Sequence, residues 1–185
     1  MRPGMADWTV LAEDELLRVG RRLTVSLQRV RLPDGREVEN YLRFTSQPYV
    51  CIFAQTPDGA VICERHYKHG AGRIVLTLPA GAREDGEGPL AAAQRELLEE
   101  TGYRSEDWTC LGSAITHANA GGGTFHMFLA KGCFRVTDPN SGDLEEMEIE
   151  QLSLPDLLCA ATDGRMPLAS DPATILHALR ALGTL

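Results

Sequence analysis

Five cysteines stand among 185 residues, at positions 51, 63, 110, 133 and 159, and no two of them form a C-x-x-C pair. An odd, scattered set suits neither a disulfide framework nor a zinc site, so free thiols in a reducing cytoplasm are expected. No stretch of about 18 apolar residues exists, which excludes a membrane-spanning helix. The opening Met1 to Glu15 has neither a continuous apolar core nor a small-residue cleavage site and is not expected to act as a secretory signal. Positive charge is also short, with 18 Lys and Arg against 26 Asp and Glu for a net charge of -8. That balance argues against a nucleic-acid partner. Nothing repeats at a fixed period, and no segment is low in complexity.

What is present is the composition of a globular chain, 43% hydrophobic and 24% charged. It is enough for one domain, or one domain with a modest extension. If such an acidic chain took an anionic substrate, it would need a metal ion or a local basic cluster to hold it.

Strand signals dominate the first part of the chain. Leu23 to Leu32 opens on an alternation of apolar and polar residues, Pro33-Asp34-Gly35 marks a turn, and Val38 to Phe44 returns as a second strand. Tyr49 to Ala54 is a continuous apolar run, as expected of a strand buried on both faces. Shorter strands are expected at Ala60 to Cys63 and Ile74 to Leu78, the latter stopped by Pro79-Ala80-Gly81. A helix is expected over Pro89 to Thr101, with Pro89 at its first position and Gly102 where the chain must leave. Strands resume at Thr109 to Ile115 and Thr124 to Val136, separated by Ala120-Gly121-Gly122-Gly123, which reads as loop. A last helix runs from about Pro172 to Leu182, with Asp171 as its expected N-cap and Gly183 as its C-terminal glycine. Strands on both sides of a central helix, with another helix at the end, predict an α/β fold in which helices cover a mixed sheet.

The chemistry concentrates on the central helix. On a wheel of ~100° per residue, Glu100 falls ~40° and Glu99 ~60° from Glu96. Leu90, Ala91, Leu97 and Leu98 fall on the other side, which is the side expected to pack. Three carboxylates on one face weaken a helix. Such a face either fans into water or serves a cation. Arg95 stands beside it and can hold a carboxylate by a bidentate contact. Hard divalent cations such as Mg²⁺ take carboxylate oxygens together with substrate phosphate, and a backbone carbonyl near Ala80 could add a ligand.

Gly81, Glu87, Arg95, Glu96, Leu97, Glu99, Glu100 and Gly102 fill the spacing G-x5-E-x7-R-E-U-x-E-E-x-G-U, where U is a large aliphatic residue and Tyr103 takes the last place. This resembles the signature box of the Nudix hydrolases. The likeness extends upstream through Glu64-Arg65-His66-Tyr67-Lys68-His69, Gly72-Arg73 and Leu78-Pro79-Ala80-Gly81, a run similar to that of the ADP-ribose pyrophosphatase and nucleotide-sugar hydrolase subgroup. The resemblance implies a Nudix-type α/β/α sandwich with a mixed sheet over residues 46–185. Residues 1–45 then form an N-terminal strand extension that pairs two subunits into a homodimer.

The resemblance also implies an enzyme that needs Mg²⁺ or Mn²⁺. It would cleave the diphosphate of a nucleoside diphosphate-linked small molecule, ADP-ribose or a nucleotide sugar, into a nucleoside monophosphate and a phosphorylated remainder. By position Glu96, Glu99, Glu100 and Ala80 become metal ligands. Arg95 becomes their orienting partner, and Glu87 orders the loop. Arg65 and Arg73 become contacts for the diphosphate or a terminal ribose, with surface ion pairing as the other reading of each. The base is expected in the acidic run 143–150, at Glu145 or Glu146, or on the box itself at Glu99.

Two positions depart from the subgroup pattern. Thr77 stands where E-L-P-A-G would place an acid, and Asn119 stands where a proline is usual. Two other functions fit the same box: pyrophosphate release from nucleoside triphosphates, and sensing of a nucleotide sugar without cleavage. The intact trio of acids argues against the second.

Overall fold

The computed structural model describes residues 6–142 and 146–185. Among these, the strands are β1 (Thr9–Val19), β2 (Leu23–Arg31), β3 (Glu37–Ser46), β4 (Tyr49–Gln55), β5 (Val61–Lys68), β6 (Arg73–Thr77), β7 (Ala80–Ala82), β8 (Tyr103–Arg104), β9 (Asp107–His117), β10 (Gly121–Lys131), β11 (Phe134–Arg135) and β12 (Met147–Leu152). The helices are α1 (Pro89–Glu96), which continues as a π-helical turn over Leu97–Thr101, α2 (Leu154–Thr162) and α3 (Ser170–Leu182). The chain divides into two compact units, Met1–Gln47 with Ile115–Thr124, and Pro48–Ala114 with Phe125–Leu185.

The first unit is an antiparallel meander. β1 pairs with β2 (Glu15 opposite Ser26), and β2 pairs with β3 (Val25 opposite Phe44). The turn after Leu32 closes as the Pro-Asp-Gly signal predicts, with Gly35 at φ 87°. β1 had no clear signal, because its apolar residues follow no period and Leu16, Leu17 and Val19 remain half exposed. The glycine stretch expected as loop is a correction. Gly121 and Gly122 are strand residues pairing in parallel with Phe44 and Thr45. They do so at φ 96° and 76°, and a Cβ on Gly121 would meet the Phe44 carbonyl at 2.6 Å. Absence of a side chain is what permits the approach.

In the second unit a mixed sheet lies between helices. β10 runs parallel to β4 (Met127 opposite Cys51), and β4 pairs antiparallel with β5 at one end and β7 at the other. β5 carries β6 on one side and β12 on the other. β4 is buried over Val50–Ala54, because its continuous apolar run feeds cores on both faces. One core gathers Phe53, Leu78, Met127 and Leu129 with Leu157 of α2 and Ile175 and Leu179 of α3. The other gathers Ile52, Ile62 and Phe128 with Ala92 and Ala93 of α1 and Leu97 of the π-turn. The fold class is α/β, with a mixed sheet and few helices.

Asp171 is not the cap of α3. Ala169 occupies the cap position, and Asp171 lies inside the first turn, 1% exposed. Its Oδ1 accepts the Leu78 N–H at 3.4 Å and the Cys51 thiol at 3.8 Å.

Candidate active site

The carboxylate helix starts without a side-chain cap: Gly88 is extended and Pro89 opens the first turn. It ends at Gly102, which is left-handed at φ 75° and donates its N–H to the Leu98 carbonyl. A Cβ at Gly102 would collide with the Thr137 carbonyl. The last turn is not α-helical as expected but a π-turn, within which the Thr101 hydroxyl donates to the Leu97 carbonyl. A π-turn widens the spiral, so a wheel drawn at α-helical spacing misplaces the residues after Glu96. The faces differ from expectation before the π-turn as well as within it. Leu90 is 42% exposed, whereas Glu96 is 8% and Glu100 4% exposed, on the side that carries Ala92, Ala93 and Leu97. Two of the three acids point inward, and Glu99 remains at the rim.

Arg95 organises the group. Its Nε and Nη2 donate to the two carboxylate oxygens of Glu87 at 2.9 and 3.0 Å. Nη1 donates to Glu96 at 2.8 Å and to Glu99 at 3.0 Å, and Nη2 also donates to the Ala82 carbonyl at 3.0 Å. Charge-assisted bonds of this kind hold geometry as well as charge. The hydrogen bonds from Arg95 are the chief reason the Glu87 carboxyl lies below its usual range. Glu87 also accepts the Glu84 N–H at 2.9 Å, which closes the loop before α1.

Gly81 lies against Glu96, and a Cβ there would fall inside the Glu96 carboxyl group. The first glycine of the motif is thus a space requirement. One residue earlier, the Ala80 N–H donates to Glu100 Oε2 at 3.0 Å. The Glu100 carboxyl is pushed well above its ordinary range, first by burial, then by the charges of Glu64 and Glu96 and a side-chain hydrogen bond with Glu64. Glu64 had not been singled out as an acid of the site. It is 1% exposed in β5, opposite Thr77 of β6. A signal was available, since an acid inside the strand run Val61 to Tyr67 breaks the apolar pattern.

Arg65 donates to Glu148 at 2.7 Å and lies 3.8 Å from Glu150, on the strand face opposite to Glu64. Arg73 donates to the Gly164 carbonyl at 2.7 Å. Glu146 is exposed just before β12, and Glu145 is outside the described residues. Thr77, at the departure from the subgroup pattern, is buried with its hydroxyl 3.1 Å from His66 Nε2. Tyr103 packs against the α1 core and accepts a hydrogen bond from Gln151 at 2.7 Å.

Among the described residues, no three His, Cys, Asp or Glu side chains are arranged to enclose a metal ion. The donor chemistry nevertheless fits one. Glu87, Glu96 and Glu99 converge on the Arg95 guanidinium, and Glu100 is buried beside the charges of Glu64 and Glu96. Hard oxygen donors with surplus negative charge suit a divalent cation.

A family profile described as NUDIX domain matches residues 45–170. An ADP-ribose pyrophosphatase of Bacillus subtilis (strain 168) is 28% identical over 141 residues, 75% of each chain. An ADP-sugar pyrophosphatase of Mus musculus is 38% identical over 104 residues, 53% of this chain and 47% of that one. A crystal structure of an ADP compounds hydrolase superposes with a TM-score of 0.83 at 21% identity, over 98% of this chain and 99% of that one, which shows a shared fold.

Proposed function

The chain belongs to the NUDIX family, and from that premise we propose that it is a hydrolase of nucleoside diphosphate-linked compounds, ADP-ribose or a nucleotide sugar foremost. One observation carries the reading: the Glu87–Arg95–Glu96–Glu99 network and the buried Glu100 form one acidic centre around the Gly81 loop. The resemblance to an ADP-ribose pyrophosphatase over three quarters of the chain sets the substrate class.

A divalent cation, Mg²⁺ or Mn²⁺, when bound, neutralises the diphosphate and acidifies a water molecule. Glu96, Glu99 and Glu100 are the acids that would hold it, and the Ala80 backbone adjoins them. Arg95, anchored by Glu87, sets the orientation of Glu96 and Glu99. A carboxylate takes the proton from the attacking water: Glu99, whose side chain is 44% exposed, or an acid of the 145–146 pair. Water adds to one phosphorus, the bridging P–O bond breaks, and a nucleoside monophosphate and a phosphorylated remainder leave.

We also assign residues 1–45 to subunit pairing. In the first unit Trp8, Val10, Leu16, Leu17, Val19 and Leu42 are each at least half exposed, an apolar surface suited to a second copy of the chain. The five free cysteines fit a reducing cytoplasm. Among the described residues no helix is long and apolar enough to cross a membrane.

The test is hydrolysis of ADP-ribose, nucleotide sugars and nucleoside triphosphates with Mg²⁺ by the intact chain and by Glu100→Gln. We expect ADP-ribose or a nucleotide sugar to yield a nucleoside monophosphate. Glu100→Gln should be folded and slower by several orders of magnitude. Pyrophosphate release from triphosphates alone would reassign the substrate class, and full activity in a folded Glu100→Gln would end the assignment of the site.

A further inference from the structure

Glu64 extends the site from a strand that the motif does not include. In an antiparallel pair, residues directly opposite share a sheet face, and Glu64 is opposite Thr77. Thr77 is the position at which the subgroup pattern carries an acid. The shared face is that of α1, because Ile62, two residues before Glu64, packs with Ala92, Ala93 and Leu97. On that face Glu100 is held from two sides. The Ala80 N–H donates to Oε2 at 3.0 Å, and the Glu64 carboxyl shares a hydrogen bond with the Glu100 carboxyl. An apolar residue at 64 would suit the surrounding core better, since burying acids side by side opposes folding. A group kept against stability is a mark of function rather than of packing.

We infer that Glu64 is a positioning residue of the proposed hydrolase: from β5 it supplies the acid that Thr77 does not supply from β6, and it sets the Glu100 carboxyl against the Ala80 N–H so that Glu100 can share a divalent cation with Glu96 and Glu99. The role rests on the functional reading above. It acts through Glu100 and requires no contact between Glu64 and substrate.

The test is binding of Mn²⁺ by the metal-free chain, followed by electron paramagnetic resonance, together with thermal unfolding without metal. Glu64→Gln should weaken Mn²⁺ binding by about 10- to 100-fold, the usual size for an outer-shell partner. It should leave the metal-free melting temperature no lower, because the glutamine amide keeps a hydrogen bond to Glu100. With ADP-ribose at saturating metal, kcat should fall while KM stays within about twofold, as for a lost interaction made in the transition state. Exchanging the acid across the ladder, Glu64→Thr with Thr77→Glu, should recover most of the Mn²⁺ affinity lost in Glu64→Thr alone.

Unchanged Mn²⁺ binding in Glu64→Gln would overturn the inference. So would a weakened affinity accompanied by a lower metal-free melting temperature, which is the signature of a packing residue. A folded double variant that binds no better than Glu64→Thr would overturn the cross-strand placement. Failure of the unmutated chain to bind Mn²⁺ and to cleave any phosphoanhydride would refute the functional reading itself, whereas a wild type that does both beside an unaffected Glu64→Gln refutes only the role of Glu64.

Discussion

Replacing Asp171 by asparagine should change how stability depends on pH, with a size that follows from the burial of the carboxyl. Asp171 is 1% exposed, and its Oδ2 has no hydrogen-bond partner. Burial raises its pKa from the ordinary 3.8 to about 7, opposed by the Leu78 N–H, the Cys51 thiol and the charge of Lys68. The folded chain therefore holds a proton that the unfolded chain has released between pH 3.8 and about 7. Stability must fall as pH rises through that window. About three pKa units at 1.36 kcal/mol each amount to roughly 4 kcal/mol, fully expressed above pH 7.

Asparagine keeps an acceptor for Leu78 but buries a new donor, a cost of about 1–3 kcal/mol that does not vary with pH. The informative quantity is thus the difference in unfolding free energy, Asp171→Asn minus wild type. Measured by urea unfolding in metal-free buffer from pH 4 to 8, it should climb by roughly 4 kcal/mol and level off above pH 7. Other titrating acids, Glu100 included, are common to both proteins and cancel to first order. A flat difference, or one that falls with pH, would refute the account of Asp171 as a buried neutral acid.

Gly81→Ala places a methyl group inside the Glu96 carboxyl. Because the end of a flexible side chain can swing away, the loss in urea unfolding should be limited to about 1–3 kcal/mol. Mn²⁺ affinity should nevertheless fall at least about tenfold, and near-wild-type affinity would mean that Glu96 need not stay where it is. Thiol labelling of the native chain should modify Cys110 and Cys159, which are exposed, and spare Cys51, Cys63 and Cys133, which are buried. Burial also raises the pKa of the Cys63 and Cys133 thiols, to about 11 for Cys133, and rapid reaction of all five would contradict the packing of the second unit.

Legibility in the sequence followed the range of the interactions. β4, the hairpin of β2 and β3, and the start of α1 were readable because an apolar run, a Pro-Asp-Gly turn and a proline at a first helical position act within a few residues. α2 was missed, and Met147–Leu152, which alternates acidic and apolar residues next to an acidic run, was read chiefly for its acids; it becomes a strand by pairing with β5. Gly121 and Gly122 were misread because glycine signals freedom, while the strand they form depends on the distant Phe44 and Thr45.

The order of residues alone determined the acidic motif, the family it belongs to and the need for a counter-charge, since spacing along one helix and a count of charges require no partner from elsewhere. Tertiary structure alone decided which acids face inward. It widened the last turn of the helix, brought the Gly81 loop against Glu96, and placed Glu64 beside Glu100 from a neighbouring strand. The physical reason is that the charge state and orientation of a carboxyl depend on what is packed around it, and the groups packed around Glu100 come from segments about 20 and more than 30 residues away in the chain.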